Sequence, residues 1–415
     1  MSLSPGRRWA LFALILVAGI LNLVDRQIIS VLKPTISADL GWSDNDYGTL
    51  AAWFQGSAAF AFLFTGWIVD KAGVKWANPL GVFSWSLAAI GHAWAATMGQ
   101  FTFVRAALGA TEAMGTPSGI KTIAAVFPPH LRSTGYGISN AVGSIGGIVA
   151  PLLIPVLAAF YGWRAAFVIA GLVGLVWAAV WLLVVRGVTF ADGSSEAAAT
   201  DTVYGPILRE RRTWAIAFAK VLSDSTWWLM LFWMPDFFHR QFGLTGTQLG
   251  PPLAIAYAGA AIGAMIAGTL ASRLLVRGRD LDRVRKGAML IAGLAVLPVP
   301  FALYAGDLWT ATLILALTMA GHQAFSTTLF AVIADVTPRA KVGRVTAFGA
   351  FCGNLGGMAV AKIAGVVLAA GLGYLPLFLF ASVSYLLALG WIQLLLPRIR
   401  RAESQAESSE VIAAH

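Results

Sequence analysis

Long apolar runs, each about the length of a bilayer crossing and separated by brief polar breaks, recur along the whole chain. They lie near 9–32, 47–69, 76–97, 100–126, 133–160 and 164–185, and again near 213–238, 247–274, 286–305, 308–334, 342–369 and 373–396. A helix needs about 20 residues to span the hydrocarbon core, and a lipid-exposed backbone must satisfy its own hydrogen bonds. The pattern therefore predicts an all-α membrane protein with twelve transmembrane helices. The one long interior polar stretch, Arg186 to Arg212, is rich in Gly, Ser, Ala and Thr and reads as a linker. It divides the chain into a six-helix half over 1–186, a cytoplasmic linker over 187–212 and a second six-helix half over 213–397. The tail, 398–415, begins basic and ends acidic and polar, as disordered segments do.

Composition supports that reading, since 58% of the 415 residues are hydrophobic and 12% charged. The mean hydropathy is +0.75, outside the soluble range. A net charge of +10 raises nucleic acid as a partner, but the placement of the basic residues excludes it. With the N-terminus inside, most of the 29 lysines and arginines fall in cytoplasmic segments, among them Arg7, Arg8, Lys71, Lys75, Arg132 and the groups at 209–212, 273–286, 339–344 and 398–401. The outer ends keep only Lys33, Arg164 and Arg240, a strong positive-inside bias. Both termini are thus expected in the cytoplasm. Arg7 and Arg8 lead directly into a full-length span with no small-residue cleavage site, unlike a signal peptide. The single cysteine, Cys352, excludes an intramolecular disulfide.

The fourth span carries chemistry. Between Gln100 and Arg132 stand Arg105, Glu112 and Lys121, although an ionisable group in hydrocarbon costs roughly 2.5–3.5 kcal/mol on insertion scales. Arg105 and Glu112, about two turns apart, share one helix face. Lys121 falls nearly opposite on an ideal helix, with Pro117 and nearby glycines able to re-aim it. Two readings stay open: a buried Arg–Glu pair that locks two helices together, or a charged site on a transport path.

The halves resemble each other at an offset of 210 residues. Gly119 to Pro128 matches Leu329 to Pro338 at Ile, Ala, Val and Pro, and Gly143, Gly146 and Gly147 fall on Gly353, Gly356 and Gly357. A parallel repeat of two six-span halves resembles the major facilitator superfamily, which implies a substrate site at the midplane between them. The loop after the second span, Gly66-Trp-Ile-Val-Asp70-Lys71-Ala-Gly73-Val-Lys75, resembles the superfamily's cytoplasmic motif. Gly66, Asp70, Lys71, Gly73 and Lys75 are accordingly expected to form a conformational latch. The equivalent Gly268-Thr-Leu-Ala-Ser272-Arg273 lacks the acid.

A finer resemblance is to the anion:cation symporter branch, and within it to bacterial hexuronate (glucuronate or galacturonate) transporters. It rests on Leu23-Val24-Asp25-Arg26; on Arg105-Ala-Ala-Leu-Gly109-Ala-Thr-Glu112-Ala with Pro117, Lys121 and Phe127-Pro128; on Lys220-Val-Leu-Ser-Asp224-Ser-Thr-Trp227-Trp228; and on Gly321-His322-Gln323-Ala-Phe-Ser326. Tyr47-Gly followed by Phe54-Gln55 is similar to the second span of that group. The resemblance implies import of a sugar-acid anion with protons, in a bacterial inner membrane, with Asp25 and Glu112 acting in proton coupling.

The residues fit such a cargo chemically. A sugar acid needs cations for its carboxylate, and guanidinium groups bind carboxylates through paired, charge-assisted hydrogen bonds, which suits Arg26 or Arg105. Gln55, His322, Gln323, Ser326 and Asn354 can meet hydroxyls, and Tyr47, Trp227 and Trp228 can present ring faces. Lys121, Lys220 and Asp224 complete the candidate substrate-binding set, although Lys220 and Asp224, at i and i+4, can instead neutralise each other. Helix packing is the bland alternative for each amide and aromatic residue. Aldonates, monocarboxylates and other organic anions remain alternative cargoes. An enzyme is not expected, because the five histidines are scattered, there is one cysteine and no His-Glu-x-x-His or Gly-x-Ser-x-Gly pattern occurs; ATP drive is not expected either, for want of a phosphate-binding loop. Nor is a sensor, since the chain carries no soluble domain. No metal or cofactor beyond protons is implied, and the protein is read as a monomer in the lipid bilayer.

Overall fold

The computed structural model describes residues 5–143, 145–188, 190 and 204–402. Most of the expected linker and the end of the tail lie outside the described residues. The first part of the chain forms α1 (Pro5–Val31), α2 (Lys33–Leu40), α3 (Asp44–Gly91), α4 (Met98–Glu112), α5 (Gly115–Val126), α6 (Pro129–Gly143), α7 (Ile145–Tyr161) and α8 (Trp163–Val184). After the linker come α9 (Gly205–Leu208), α10 (Arg211–Phe242), α11 (Gly250–Val276), α12 (Leu281–Val296), α13 (Leu308–Val336), α14 (Arg339–Ala369) and α15 (Leu375–Leu395). Among the described residues there is no strand. Eight stretches among the described residues are long and apolar enough to cross a membrane, in α1, α3, α8, α11, α12, α13, α14 and α15. The other expected spans are helical too, but the fourth is divided into α4 and α5, the fifth is covered by α6 and α7 on either side of residue 144, which lies outside the described residues, and α10 carries Lys220, Asp224, Asp236 and Arg240.

Local chemistry explains the breaks. The 48 residues of α3 cover two expected spans, and the turn between them is Gly73, at φ 69° and ψ 165°, a conformation that β-carbons exclude. The division of α4 from α5 falls at Ala113 and Met114, just ahead of Pro117, whose nitrogen cannot donate to the carbonyl four residues back. The repeat shows at the ends of α5 and α13. Phe127 leaves its helix at φ −108° and ψ 140°, and Thr337 at φ −111° and ψ 130°. Each precedes a proline, which disfavours the helical region for the residue before it. Packing repeats as well. A β-carbon on Gly146 would lie 2.8 Å from the Ile20 carbonyl oxygen of α1, and one on Gly356 would lie 2.6 Å from that of Val221 in α10.

The described residues gather into two compact bodies. The first draws on Met1–Thr200, Leu229–Tyr257 and Met358–Leu372, the second on Asp201–Trp228, Ala258–Gly357 and Gly373–His415. In the first, α3 meets α14 backbone to backbone. A β-carbon on Gly48 would stand 2.8 Å from the Ala361 carbonyl oxygen and 2.9 Å from Gly365 Cα. Lys362 Nζ, one turn away, donates to Asn45 Oδ1 at 2.6 Å and to Thr49 Oγ1 at 2.7 Å. The second body has a core that includes Ile216, Met289, Phe325, Leu329, Tyr385 and Ile392. Where the linker re-enters it, Arg212 Nη1 donates to the Val336 carbonyl at 2.8 Å, and Glu210 accepts from Arg212 and, at 2.6 Å, from Lys341. Burial pushes the Glu210 carboxyl up, but those hydrogen bonds outweigh it and hold the group below its ordinary value of 4.5.

Two measurements check these contacts. Gly48→Leu should cost about 1–3 kcal/mol through overpacking and lower the melting temperature in detergent, whereas Gly268→Ala, where a β-carbon meets open space, should not. Because the folded Glu210 value lies below the unfolded one, its ion pairs stabilise the fold above that unfolded value and lose effect as pH falls through the folded one. The stability advantage of the wild type over Glu210→Gln should therefore be present near neutral pH and vanish in strong acid.

Candidate functional site

The first body brings together Asp25 and Arg26 of α1, Phe54 of α3, and Arg105 and Glu112 of α4. Their meeting depends on Gly109, midway between the two charged residues of α4. A β-carbon there would lie 2.2 Å from the Phe54 carbonyl oxygen and 2.6 Å from Ser57 Oγ, so only glycine lets α3 lie this close. The spacing of arginine, glycine and glutamate along α4 is thus the footprint of a crossing helix: the glycine marks the crossing, and the charges flank it.

Glu112 is buried, and its partner is Arg26, whose Nε donates to Glu112 Oε2 at 2.6 Å. The second oxygen, Oε1, is buried with no hydrogen-bond partner among the described residues. Arg105 is fully buried, and none of its three guanidinium nitrogens has a hydrogen-bond partner among the described residues. Its charge rests on Phe54, with Cζ 4.7 Å from the ring centroid, and Arg26 Cζ lies 5.7 Å from the same ring. Such a contact is worth about 2 kcal/mol or more when desolvated. Asp25 is also buried, and neither its Oδ1 nor the two polar atoms of buried Gln55 has a hydrogen-bond partner among the described residues. Asp25, Glu112, Arg26 and Arg105 lie within electrostatic reach of one another. Buried polar groups in native proteins are nearly always paired, so unpaired atoms beside a buried guanidinium set this cluster apart from the rest of the first body.

Other expected residues lie elsewhere. Tyr47 is buried, its hydroxyl donating to the Phe232 carbonyl at 2.7 Å and its ring edge-on to Trp233 at 4.9 Å. Lys121, re-aimed beyond the break in its span, donates to Asp70 Oδ1 at 2.9 Å. It thus joins the loop of Gly66, Asp70, Lys71, Gly73 and Lys75, where Lys71 Nζ lies 5.2 Å from the Trp67 ring. The second body holds the remaining set. Lys220 and Asp224 pair at 2.7 Å, and a β-carbon on Gly353 would strike Asp224 Oδ2 at 2.2 Å. His322 Nδ1 lies 2.7 Å from the Tyr385 hydroxyl, and its ring stacks on Trp227 at 4.9 Å. Trp228 Cδ1 would lie 2.4 Å from a β-carbon on Gly357, while Asn354 Nδ2 donates within its own helix to the Ala350 carbonyl at 2.8 Å. Ser326 is buried and Gln323 half-buried on α13, one turn apart.

A second charge cluster in the first body went unrecognised in the sequence. Lys33, buried, donates to Asp44 Oδ1 at 2.6 Å and to Asp236 Oδ1 at 2.5 Å. Arg240 reaches the same two carboxylates, at 2.5 Å to Asp44 and 2.7 Å to Asp236. The signal was Asp236, an acid inside an apolar run with a base four residues on.

The sequence model of the Major Facilitator Superfamily matches residues 15–361. The D-galactonate transporter of Escherichia coli O6:H1 is 25% identical, over 93% of this chain and 96% of its own. The hexuronate transporter of Escherichia coli K12 is 26% identical over 92% of each chain. Among solved structures, a bacterial homolog of the human lysosomal transporter Spinster, in an inward-facing and occupied conformation, superposes with a TM-score of 0.71 at 18% identity, covering 94% of this chain and 96% of that one.

The Arg26–Glu112 pair sets a stability test. Arg26→Met should destabilise by about 3–5 kcal/mol, because it leaves a buried carboxylate uncompensated, whereas Arg26→Met with Glu112→Met should recover most of the loss. Denaturation of the purified wild type and variants measures the cycle.

Proposed function

Because the chain belongs to the Major Facilitator Superfamily, we propose that it is a proton-coupled symporter importing a sugar-acid anion, a hexuronate, by alternating access. It is a multi-pass membrane protein and a transporter, not an enzyme, like its relatives. The proposal places it in the inner membrane with both termini in the cytoplasm, working as a monomer with no cofactor beyond protons.

The observation that carries the reading is the Arg105 guanidinium, buried and unpartnered beside two buried carboxyls. Arg105 takes the carboxylate of the cargo through paired hydrogen bonds, backed by the Phe54 ring. Gln55, whose amide has no partner, serves a cargo hydroxyl. Glu112 carries a proton: protonation loosens its bond to Arg26, and loss of the proton re-forms the pair. Asp25 is the second proton carrier. With both carboxyls ionised the two acids balance the two arginines, so a bound anion calls for at least one proton to keep the buried site neutral.

The hexuronate relative and the cargo chemistry support this reading, while the galactonate relative favours a second, in which the cargo is an aldonate. Uptake of radiolabelled glucuronate into proteoliposomes under an inward proton gradient decides. Wild type should accumulate the label, and Glu112→Gln should abolish gradient-driven accumulation while keeping exchange. Arg105→Ala should lower transport at least a hundredfold. Saturable uptake indifferent to the gradient overturns the coupling. Competition by galactonate but not by galacturonate transfers the cargo to the aldonates.

A further inference from the structure

A cavity of about 670 Å³ opens in the second body, lined by α11, α12 and α13. Its wall on α11 is Gly263, Ile266, Ala267, Leu270, Ala271 and Leu274, residues of one helix face. Small residues of α12 and α13, including Gly287, Ala288 and Ala320, give it depth. Close packing explains the shape. A β-carbon on Gly263 would lie 2.1 Å from the Ala320 carbonyl oxygen, and one on Gly321 would lie 2.7 Å from that of Ala292. Helices α11 and α12 are thus each drawn tightly onto α13, and a trough remains between them. Its rim is apolar and exposed at Ile266, Leu270 and Ile291. The volume equals that of about twenty groups the size of a water molecule, at ~30 Å³ each, enough for one acyl chain.

One end of the trough is charged. Arg279, Asp280 and Arg283 stand there, at the loop that the basic-residue distribution assigns to the cytoplasm. Two bases on the following turns are already neutralised: Arg285 pairs with Asp335 at 2.8 Å and Lys286 with Asp282 at 2.7 Å. Asp280 is committed to capping α12, its Oδ1 accepting from the Arg283 backbone at 3.0 Å. The exposed side chains of Arg279 and Arg283 have no carboxylate partner among the described residues. We propose that this groove binds an anionic glycerophospholipid, with an acyl chain in the trough and the phosphate between Arg279 and Arg283. An apolar slot ending in two unneutralised arginines at the membrane surface is complementary to that amphiphile, and a zwitterionic lipid leaves the net charge there uncompensated. The assignment requires only that the chain spans a membrane, so it is independent of the cargo.

Native mass spectrometry of the full chain with phosphatidylglycerol or phosphatidylcholine of matched acyl chains tests it. Wild type should retain phosphatidylglycerol preferentially. Arg279→Ala with Arg283→Ala should weaken its binding by about thirtyfold, the effect of two juxtamembrane charges, and leave phosphatidylcholine unchanged. Arg398→Ala with Arg400→Ala, an equal loss of charge elsewhere, should have little effect. Gly287→Phe, at a position where a β-carbon meets open space, should fill the trough and displace the lipid without lowering the melting temperature. Equal retention of both lipids by the wild type overturns the proposal. So does a control variant that loses as much binding as the Arg279 and Arg283 variant. A dimer of the wild type that Gly287→Phe dissociates would assign the groove to a second copy instead.

Discussion

A charge cannot be left alone in hydrocarbon, and the first body is arranged around how it meets that rule. Glu112 is neutralised by a guanidinium from another helix, while Arg105 is given only an aromatic face and nearby carboxyls. Both depend on Gly109, because a single added methyl group would push α3 away and take Phe54 with it. Electrostatics and packing are therefore one constraint in this part of the molecule. The glycine is as necessary to the charged site as the charges are.

The two charge clusters of the first body solve the same problem differently. Around Lys33, each carboxylate receives a hydrogen bond from both bases, so charge and hydrogen-bonding capacity are satisfied together. Such a network fixes α2, α3 and α10 relative to one another. Around Arg105 the charges balance in number but the hydrogen bonds do not. That imbalance, rather than the mere presence of buried charge, is why the proposed cargo site is assigned to Arg105 and not to Lys33.

Much of this was readable in the amino-acid order, and the remainder fails for identifiable reasons. Apolar length anticipated the eight stretches that are long and apolar enough to cross a membrane among the described residues, and Pro117 marked the change of course in the fourth span, because these are local effects. The shared face of Arg105 and Glu112 was also correct, but sharing a face is not contact. Seven residues rise about 10.5 Å along a helix, too far for the two side chains to pair directly, so the partner of Glu112 had to come from elsewhere. Arg26, 86 residues away, is that partner, and no periodicity within one span could name it. Lys121 shows the opposite failure. It was counted with the span 4 site, but the helix restarts beyond Ala113 and Met114, and the lysine meets Asp70 instead. Lys220 and Asp224 took the self-neutralising alternative that their spacing had left open.

Charge balance also constrains how cargo and proton are linked in the proposed symport. Asp25 and Glu112 against Arg26 and Arg105 make a neutral set when all four are ionised. An anion docking on Arg105 alone would leave the set with one negative charge in a medium that screens it poorly. A proton on either carboxyl removes that penalty, so proton and anion each make the other's binding more favourable. Such coupling is reciprocal by thermodynamic necessity: whatever factor the proton adds to cargo affinity, the cargo adds to proton affinity. No dedicated relay beyond the cluster is needed for linkage, because the same guanidinium and carboxyl groups serve both ligands. What the rest of the fold must supply is a change in exposure of this cluster from one side of the membrane to the other.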